Sequence, residues 1–233
     1  MFRSFQAQYA TTATASRTSL AAATKRLVLT AMLALTAFGA AAQDYVEGEH
    51  YDVISPIIRG DDAKIEVTEF FWYGCGHCYN FEPQLSQWKK GVGDDVAVVG
   101  SPAMWNGLME VHAKAFYAAE TLGVLDKVHM PLFQAINVDR KRLSSEDEIA
   151  DLFAANGVPA EEFRKAFNSF GVGSQVRQAN ARARAARIGG TPEMMVAGKY
   201  RITTRKAGSQ ANMLKIAEYL IEKERSARAD AAS

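Results

Sequence analysis

The sequence predicts an α/β protein: a mixed β-sheet with helices on both faces and an all-helical insertion. Three observations carry that expectation. An apolar strand pattern, "AKIEVTEFFWYG" (63–74), runs into a helical pattern and then a second apolar strand, "DVAVVGSP" (95–102), which is the order of a β-α-β unit. A stretch of roughly 80 residues with purely helical spacing follows. The chain then returns to a β-hairpin pattern and one last helix, so the helical stretch interrupts the sheet rather than following it.

Residues 1–42 stand apart, with no Asp or Glu. A polar Ala/Ser/Thr-rich opening, long for a leader, reaches Lys25-Arg26, then the apolar run "LVLTAMLALTAF" (27–38) and the small residues Gly39 to Ala42. This is the order of a secretory signal peptide, with cleavage expected after Ala42 because Ala40 and Ala42 supply the small pair a signal peptidase reads. The alternative, a membrane-anchored N-terminus, asks for an apolar run of roughly 20 residues, and this one has 12. Loss of the leader removes Arg3, Arg17, Lys25 and Arg26 from the 27 basic groups, leaving 23 against 26 acidic ones. The mature chain of 191 residues is then mildly acidic, which gives no electrostatic reason to expect a nucleic-acid partner. Export places it where disulfides persist. With 48% hydrophobic and 23% charged residues the composition is that of an ordinary globular domain, and no repeat is visible.

The elements follow in order. "QDYVEGEHYDVIS" (43–55) is polar with one short β-like piece near Tyr51–Ile54. The apolar end of 63–74 reads as a strand buried on both faces. From Cys75 to about Lys90, Cys78, Phe81, Leu85 and Trp88 share a helical face, with Pro83 inside and a kink expected there. Phe71 and Trp72 read as core. The helical stretch contains "LMEVHAKAFYAAETLG" with Gly123 as a stop, "VLDKVHMPLFQAI" with Pro131, and "SSEDEIADLFAANG", where Ser145 and Glu148 have capping-box spacing. "PAEEFRKAFNSF" and a long basic helix, "VGSQVRQANARARAARIG", complete it. Arg177, Arg182, Arg184 and Arg187 on that last helix read as a solvated basic face rather than an anion site. "GGTPEMMVAGKYRIT" predicts a hairpin turning at Gly198-Lys199, and a final helix covers about 209–224. Met194-Met195 fits either a peptide groove or core packing. Trp105 either borders the site or packs. No Pro/Gly/Ser-rich linker marks independently moving parts.

Both cysteines lie in "FFWYGCGHCYNFEP" (70–83). The pattern puts Cys75 directly after a buried strand, at the first turn of a helix, where unpaired N–H groups and partial positive charge favour thiolate over thiol. A protonated His77 would add positive charge. Cys75 is then the exposed thiol, and Cys78, one turn further in, is shielded by Tyr79, Phe81 and the sheet. The asymmetry assigns roles: Cys75 is the nucleophile, or when oxidised the sulfur a substrate thiolate attacks, and Cys78 resolves the mixed disulfide. Stabilising the Cys75 thiolate stabilises the reduced pair and makes the disulfide a stronger oxidant. Gly76 keeps the turn permissive. Two other readings fit the pair less well. A structural bridge across two residues closes a tiny loop and removes little chain entropy. Zinc wants four ligands, and His50, His112 and His129 do not supply a second pair at similar spacing, so no metal is expected. The second motif, "IGGTPEMMV" (188–196), places Pro192 at a strand start, where its missing donor is tolerated.

"FFWYGCGHCYNFEP" followed far downstream by "GGTP" resembles the DsbA family of bacterial periplasmic thiol:disulfide oxidoreductases. The resemblance extends over essentially all of 43–224 and implies a thioredoxin-like fold with an inserted helical domain. It divides the chain into a signal peptide (1–42), a thioredoxin-like first part (43–107), the inserted helical domain (108–187) and a thioredoxin-like second part (188–233). It makes Cys75 the attacking and Cys78 the buried cysteine. Pro192 becomes the cis-proline beside them, and Thr191, Pro192 and Gly76 the substrate contacts, with the loop pairing an extended peptide by strand addition. Glu69 matches a buried acid that assists proton transfer near the inner cysteine. Read without the resemblance, it is equally a strand-end carboxylate facing water. The implied partners are reduced, unfolded exported proteins and a membrane quinone-linked oxidase of the DsbB type that recycles the pair in the periplasm. No cofactor is implied, since the cysteines carry the two electrons. Two departures keep the alternatives open: many members have Pro at position 76 and Val at 191, and Gly76-His77 with Thr191 also occurs in disulfide isomerases. Dimeric isomerases carry an N-terminal dimerisation domain for which the roughly 20 residues before the first core strand leave no room, so the expectation is a monomeric dithiol oxidase. An isomerase or reductase on the same fold, and a non-catalytic binding module with an inert staple, are the rivals.

Overall fold

A computed structural model describes residues 45–58 and 63–232. The expected signal peptide over 1–42 lies outside the described residues. Five strands and eight helices follow in chain order among them: β1 (Asp52–Val53), β2 (Ile65–Phe71), α1 (Gly76–Lys89), β3 (Val96–Pro102), α2 (Gly107–Thr121), α3 (Leu125–Asn137), α4 (Glu146–Ala155), α5 (Ala160–Phe167), α6 (Phe170–Ala185), β4 (Glu193–Val196), β5 (Tyr200–Thr203), α7 (Thr204–Ala207) and α8 (Gln210–Ala232). The sheet order is β1-β5-β4-β2-β3. β2 runs parallel to β3, with Ile65 opposite Val96, and antiparallel to β4, with Val67 opposite Val196. The mixed sheet is therefore the one the β-α-β unit and the closing hairpin predict.

β2 is buried almost throughout because each face has its own cover. Ile65 and Val67 pack with Phe81 and Leu85 of α1 and with Met213, Ile216, Ala217 and Leu220 of α8. Phe70 packs with Ala183, Ala186, Ile188 and Met195. At the strand's end Phe71 enters a third cluster shared with the helices α2 to α6, built on Phe116, Phe133, Phe153 and Phe163. That cluster also contains Cys78 and touches Cys75, so the helical part forms one wall of the dithiol site.

Local signals in the sequence act where expected. Ser145 and Glu148 form both bonds of a capping box at α4. α1 runs through Pro83 without interruption. Four expectations change. The hairpin turns on Ala197 (φ 54°) and Gly198 (φ 62°), one residue earlier than Gly198-Lys199. A side chain on Gly198 would also collide with the Ile58 carbonyl, 1.7 Å from an added Cβ. α8 continues to Ala232, past its apolar spacing, and at the start of that extension Arg225 holds both carboxylate oxygens of Asp95 at 2.7 and 2.6 Å. Trp72 is only half-buried and donates its indole N–H to His112 Nδ1 at 3.0 Å, so it is no core residue. Trp105 is 55% exposed rather than packed, and lines an open cleft with Ile188, Arg177 and Arg184. Met194 and Met195 are both core.

Candidate active site

Cys75 is the N-cap of α1, with extended backbone (φ −92°, ψ 110°). Its sulfur does what a Ser or Asp oxygen does at this position and accepts a hydrogen bond from the Cys78 N–H at 3.4 Å. The chain reaches this point from the end of β2 by a tight turn in which Cys75 N–H donates to the Trp72 carbonyl at 2.9 Å. Cys75 is half-buried, and one turn on Cys78 is fully buried among the aromatic residues of the helical cluster. Both are free thiols.

Their acidities diverge. The Cys78 side chain, donating to Cys75 Sγ, brings the Cys75 thiol from 9.0 down to about 5, helped by the Thr191 side chain and the backbone N–H groups of Cys78 and His77 against the opposing effect of burial. His77 contributes through its backbone; its ring is on the exposed side of the turn, and its carbonyl accepts from Gln210 Nε2 at 2.6 Å. Burial drives Cys78 far up, and the contact to Cys75 and the charge of Glu69 push the same way. Gly76 is exposed, and an added Cβ would meet only Asn137 Oδ1 at 3.8 Å, so space does not require glycine there.

The second motif comes to the same place from 116 residues away. The Thr191-Pro192 peptide is cis, and the Thr191 carbonyl oxygen lies 3.3 Å from Cys75 Sγ. β4 begins at the next residue and pairs with β2, so the sheet itself sets this loop against the helix N-terminus. Glu69, on β2, is 3% exposed and not a carboxylate facing water. Burial, then the charge of Glu82, raises it to about 8, and its Oε1 has no hydrogen-bond partner.

Sequence reading missed three side chains near the inner thiol. Glu82 is buried and lies 3.4 Å from His129 Nε2, and His129 Nδ1 is 2.7 Å from the Tyr73 hydroxyl. Glu82 was findable, since it is four residues beyond Cys78 and shares its helix face. His129 was not, because only the docking of α3 on α1 brings it there.

A dithiol split between an acidic, half-exposed N-cap cysteine and a buried partner, set against a cis-proline loop on a mixed sheet, defines a thiol–disulfide exchange protein of the thioredoxin fold. The chain belongs to the DSBA-like thioredoxin domain family, whose family model matches residues 95–215. It is 44% identical over 207 residues to a Pseudomonas aeruginosa protein named thiol:disulfide interchange protein DsbA, covering 87% of this chain and 98% of the relative. A protein of the same name from Azotobacter vinelandii is 40% identical over 213 residues, covering 88% of this chain and all of the relative. Among solved structures, Pseudomonas aeruginosa DsbA matches with a TM-score of 0.77 and 41% identity over 80% of this chain and 98% of its own. The Xylella fastidiosa oxidoreductase DsbA matches with a TM-score of 0.74 and 33% identity over 78% of this chain and 98% of its own.

Proposed function

We infer that the protein is a thiol:disulfide interchange oxidoreductase that donates its Cys75–Cys78 disulfide to reduced exported proteins. The observation that carries this is the opposed acidity of two thiols in one turn: Cys75 at about 5, Cys78 pushed far up. In the oxidised protein a client thiolate attacks Cys75 Sγ. The S–S bond breaks, a mixed disulfide forms, and Cys78 leaves with the electron pair. Cys78 needs a proton at that moment, and Glu69 supplies it, a role supported by its burial and its rise to about 8. A second client thiolate then attacks the client sulfur and expels Cys75, a good leaving group because its thiolate is stabilised. The client gains a disulfide and the pair keeps two electrons. When the second thiolate is slow to arrive, Cys78 attacks Cys75 and releases the client unchanged.

Thr191 and Pro192 bind the client backbone as an added strand, next to the exposed Gly76 and His77. The periplasm is the site of action, supported by the leader pattern over 1–42 and by the family. No helix among the described residues is long and apolar enough to cross a membrane. Reoxidation falls to a membrane quinone-linked oxidase of the DsbB type, and the working unit is a monomer built of the thioredoxin-like parts 43–107 and 188–233 around the helical domain 108–187. Alkylation trapping of the redox state in cells tests the reading: a mostly oxidised pair is expected, and a mostly reduced one would favour an isomerase or reductase.

A further inference from the structure

The loop that meets Cys75 is held from behind by a chain of charged groups, buried at Glu193, that the reaction described above does not use. Glu193 is the first residue of β4, directly after Pro192, and is 7% exposed. Its Oε1 accepts the Gly189 N–H at 3.2 Å, and the Gly190 backbone N–H also stabilises the carboxylate. An added Cβ on Gly189 or Gly190 would stand 4.0 or 3.8 Å from that oxygen, so the carboxylate lies flat against the two-glycine arm leading into Thr191. The other oxygen, Oε2, is buried without a hydrogen-bond partner and faces Arg201 Nε, equally unpartnered, at 4.0 Å. Arg201 in turn donates to the carbonyls of Ala186 and Arg187 at the end of α6 and to Asp52 Oδ2 at 3.0 Å, and Lys206 closes the chain on Asp52.

Two glycines make the arm soft, because glycine has the most backbone freedom to lose. A soft arm would let the Thr191 peptide wander from Cys75. One buried carboxylate removes that freedom by taking the arm's N–H groups, and Arg201 anchors the carboxylate to both the helix end and the edge strand. The Pro192 carbonyl is fixed independently, by the Thr204 hydroxyl at 3.1 Å.

We propose that Glu193, anchored by Arg201, is a positioning residue for client capture: it holds the Gly189-Gly190 arm so that the Thr191 backbone meets an incoming peptide beside Cys75. The proposal rests on the oxidase reading above. It predicts an effect chiefly on peptide binding, with the Cys75 midpoint moving no further than in T191V, since Glu193 reaches that thiol only through Thr191. The test uses the full mature chain, oxidised, and a fluorescent reduced dithiol peptide as probe, with kcat, KM, the Cys75 thiolate midpoint and the equilibrium with glutathione read for each variant. E193A should raise KM about tenfold or more, because the arm's N–H groups lose the acceptor that fixes the Thr191 backbone, with kcat unchanged and the midpoint and glutathione equilibrium moving no further than in T191V. E193Q keeps an oxygen for Gly189 and should restore most of the KM. E193D keeps the charge but retracts the oxygen and should raise KM; with E193Q it decides the matter if E193A does not fold. An unchanged KM in E193A and E193D overturns the proposal, as does a Cys75 midpoint that moves further than in T191V. If the wild-type protein itself fails to oxidise the probe, the oxidase reading falls and this inference with it; wild-type activity with indifferent variants removes this inference alone.

Discussion

On the outer side of the α1 N-terminus, Cys75 is half-buried and surrounded by donors: the Cys78 thiol and N–H, the Thr191 side chain and the His77 N–H. On the inner side, Cys78 is sealed among Phe71, Tyr73 and Phe133, with the raised carboxyl of Glu69 near enough to oppose its ionisation. The two sulfurs are three residues apart in sequence and share one hydrogen-bonded turn. The difference between them is therefore not a matter of spacing or helix polarity, which they share, but of what each wall of the site offers: hydrogen-bond donors outside, hydrocarbon and a like charge inside. A disulfide between such unequal thiols is easily surrendered, because reduction creates one stable anion and one thiol that needs no charge.

Removing either sulfur should break the comparison most severely. C75S should abolish peptide oxidation, and C78S should retain Cys75 and trap client proteins as mixed disulfides visible on non-reducing gels; C75S with residual oxidase activity would refute the assignment. The next effect concerns the inner wall. Glu69 is raised from 4.5 to about 8, so its contribution to stability is present at low pH and is lost as pH climbs through that window. E69Q should remove the loss, making the variant the more stable protein above about pH 8 by up to about 5 kcal/mol, read by denaturant titration; parallel curves at all pH values would contradict a buried, raised carboxyl.

The outer wall is tested by the Cys75 thiolate absorbance. Its midpoint should lie near 5 rather than 9.0, and the reduced form should gain stability over the oxidised one as pH rises between those values and lose it as pH falls through about 5. C78A should raise the midpoint more than T191V, because the Cys78 contact is the largest of the lowering causes. H77A should move it least, since His77 acts through its backbone N–H, which alanine retains; a large rise in H77A would return the imidazole to the centre of the account.

How much of this was legible beforehand varies by element. The apolar run ending in Phe70-Phe71 had to be a covered strand, the Ser145–Glu148 spacing a helix start, and Cys75 a helix N-terminus, because each depends on neighbours within a few residues. Trp72 and Trp105 were misplaced for a different reason. A large aromatic residue is equally at home in a core, at a half-buried contact such as Trp72 to His112, or on a cleft wall, and only the packing of distant helices selects among these. Glu69 illustrates the same limit: one carboxyl on a strand reads as exposed or buried until the facing helix is in place.

The sequence by itself determined the order of strands and helices, the pairing of Cys75 with Cys78 on one turn, and the exchange chemistry that pairing allows, since all three rest on short-range pattern and backbone geometry. Tertiary structure decided how far the two thiols diverge and what they face. Thr191 stands 116 residues from Cys75, and the rise of Glu69 and the anchoring of Glu193 by Arg201 come from burial and from charges on separate strands and helices. Desolvation and charge act through space, and no local spacing encodes them.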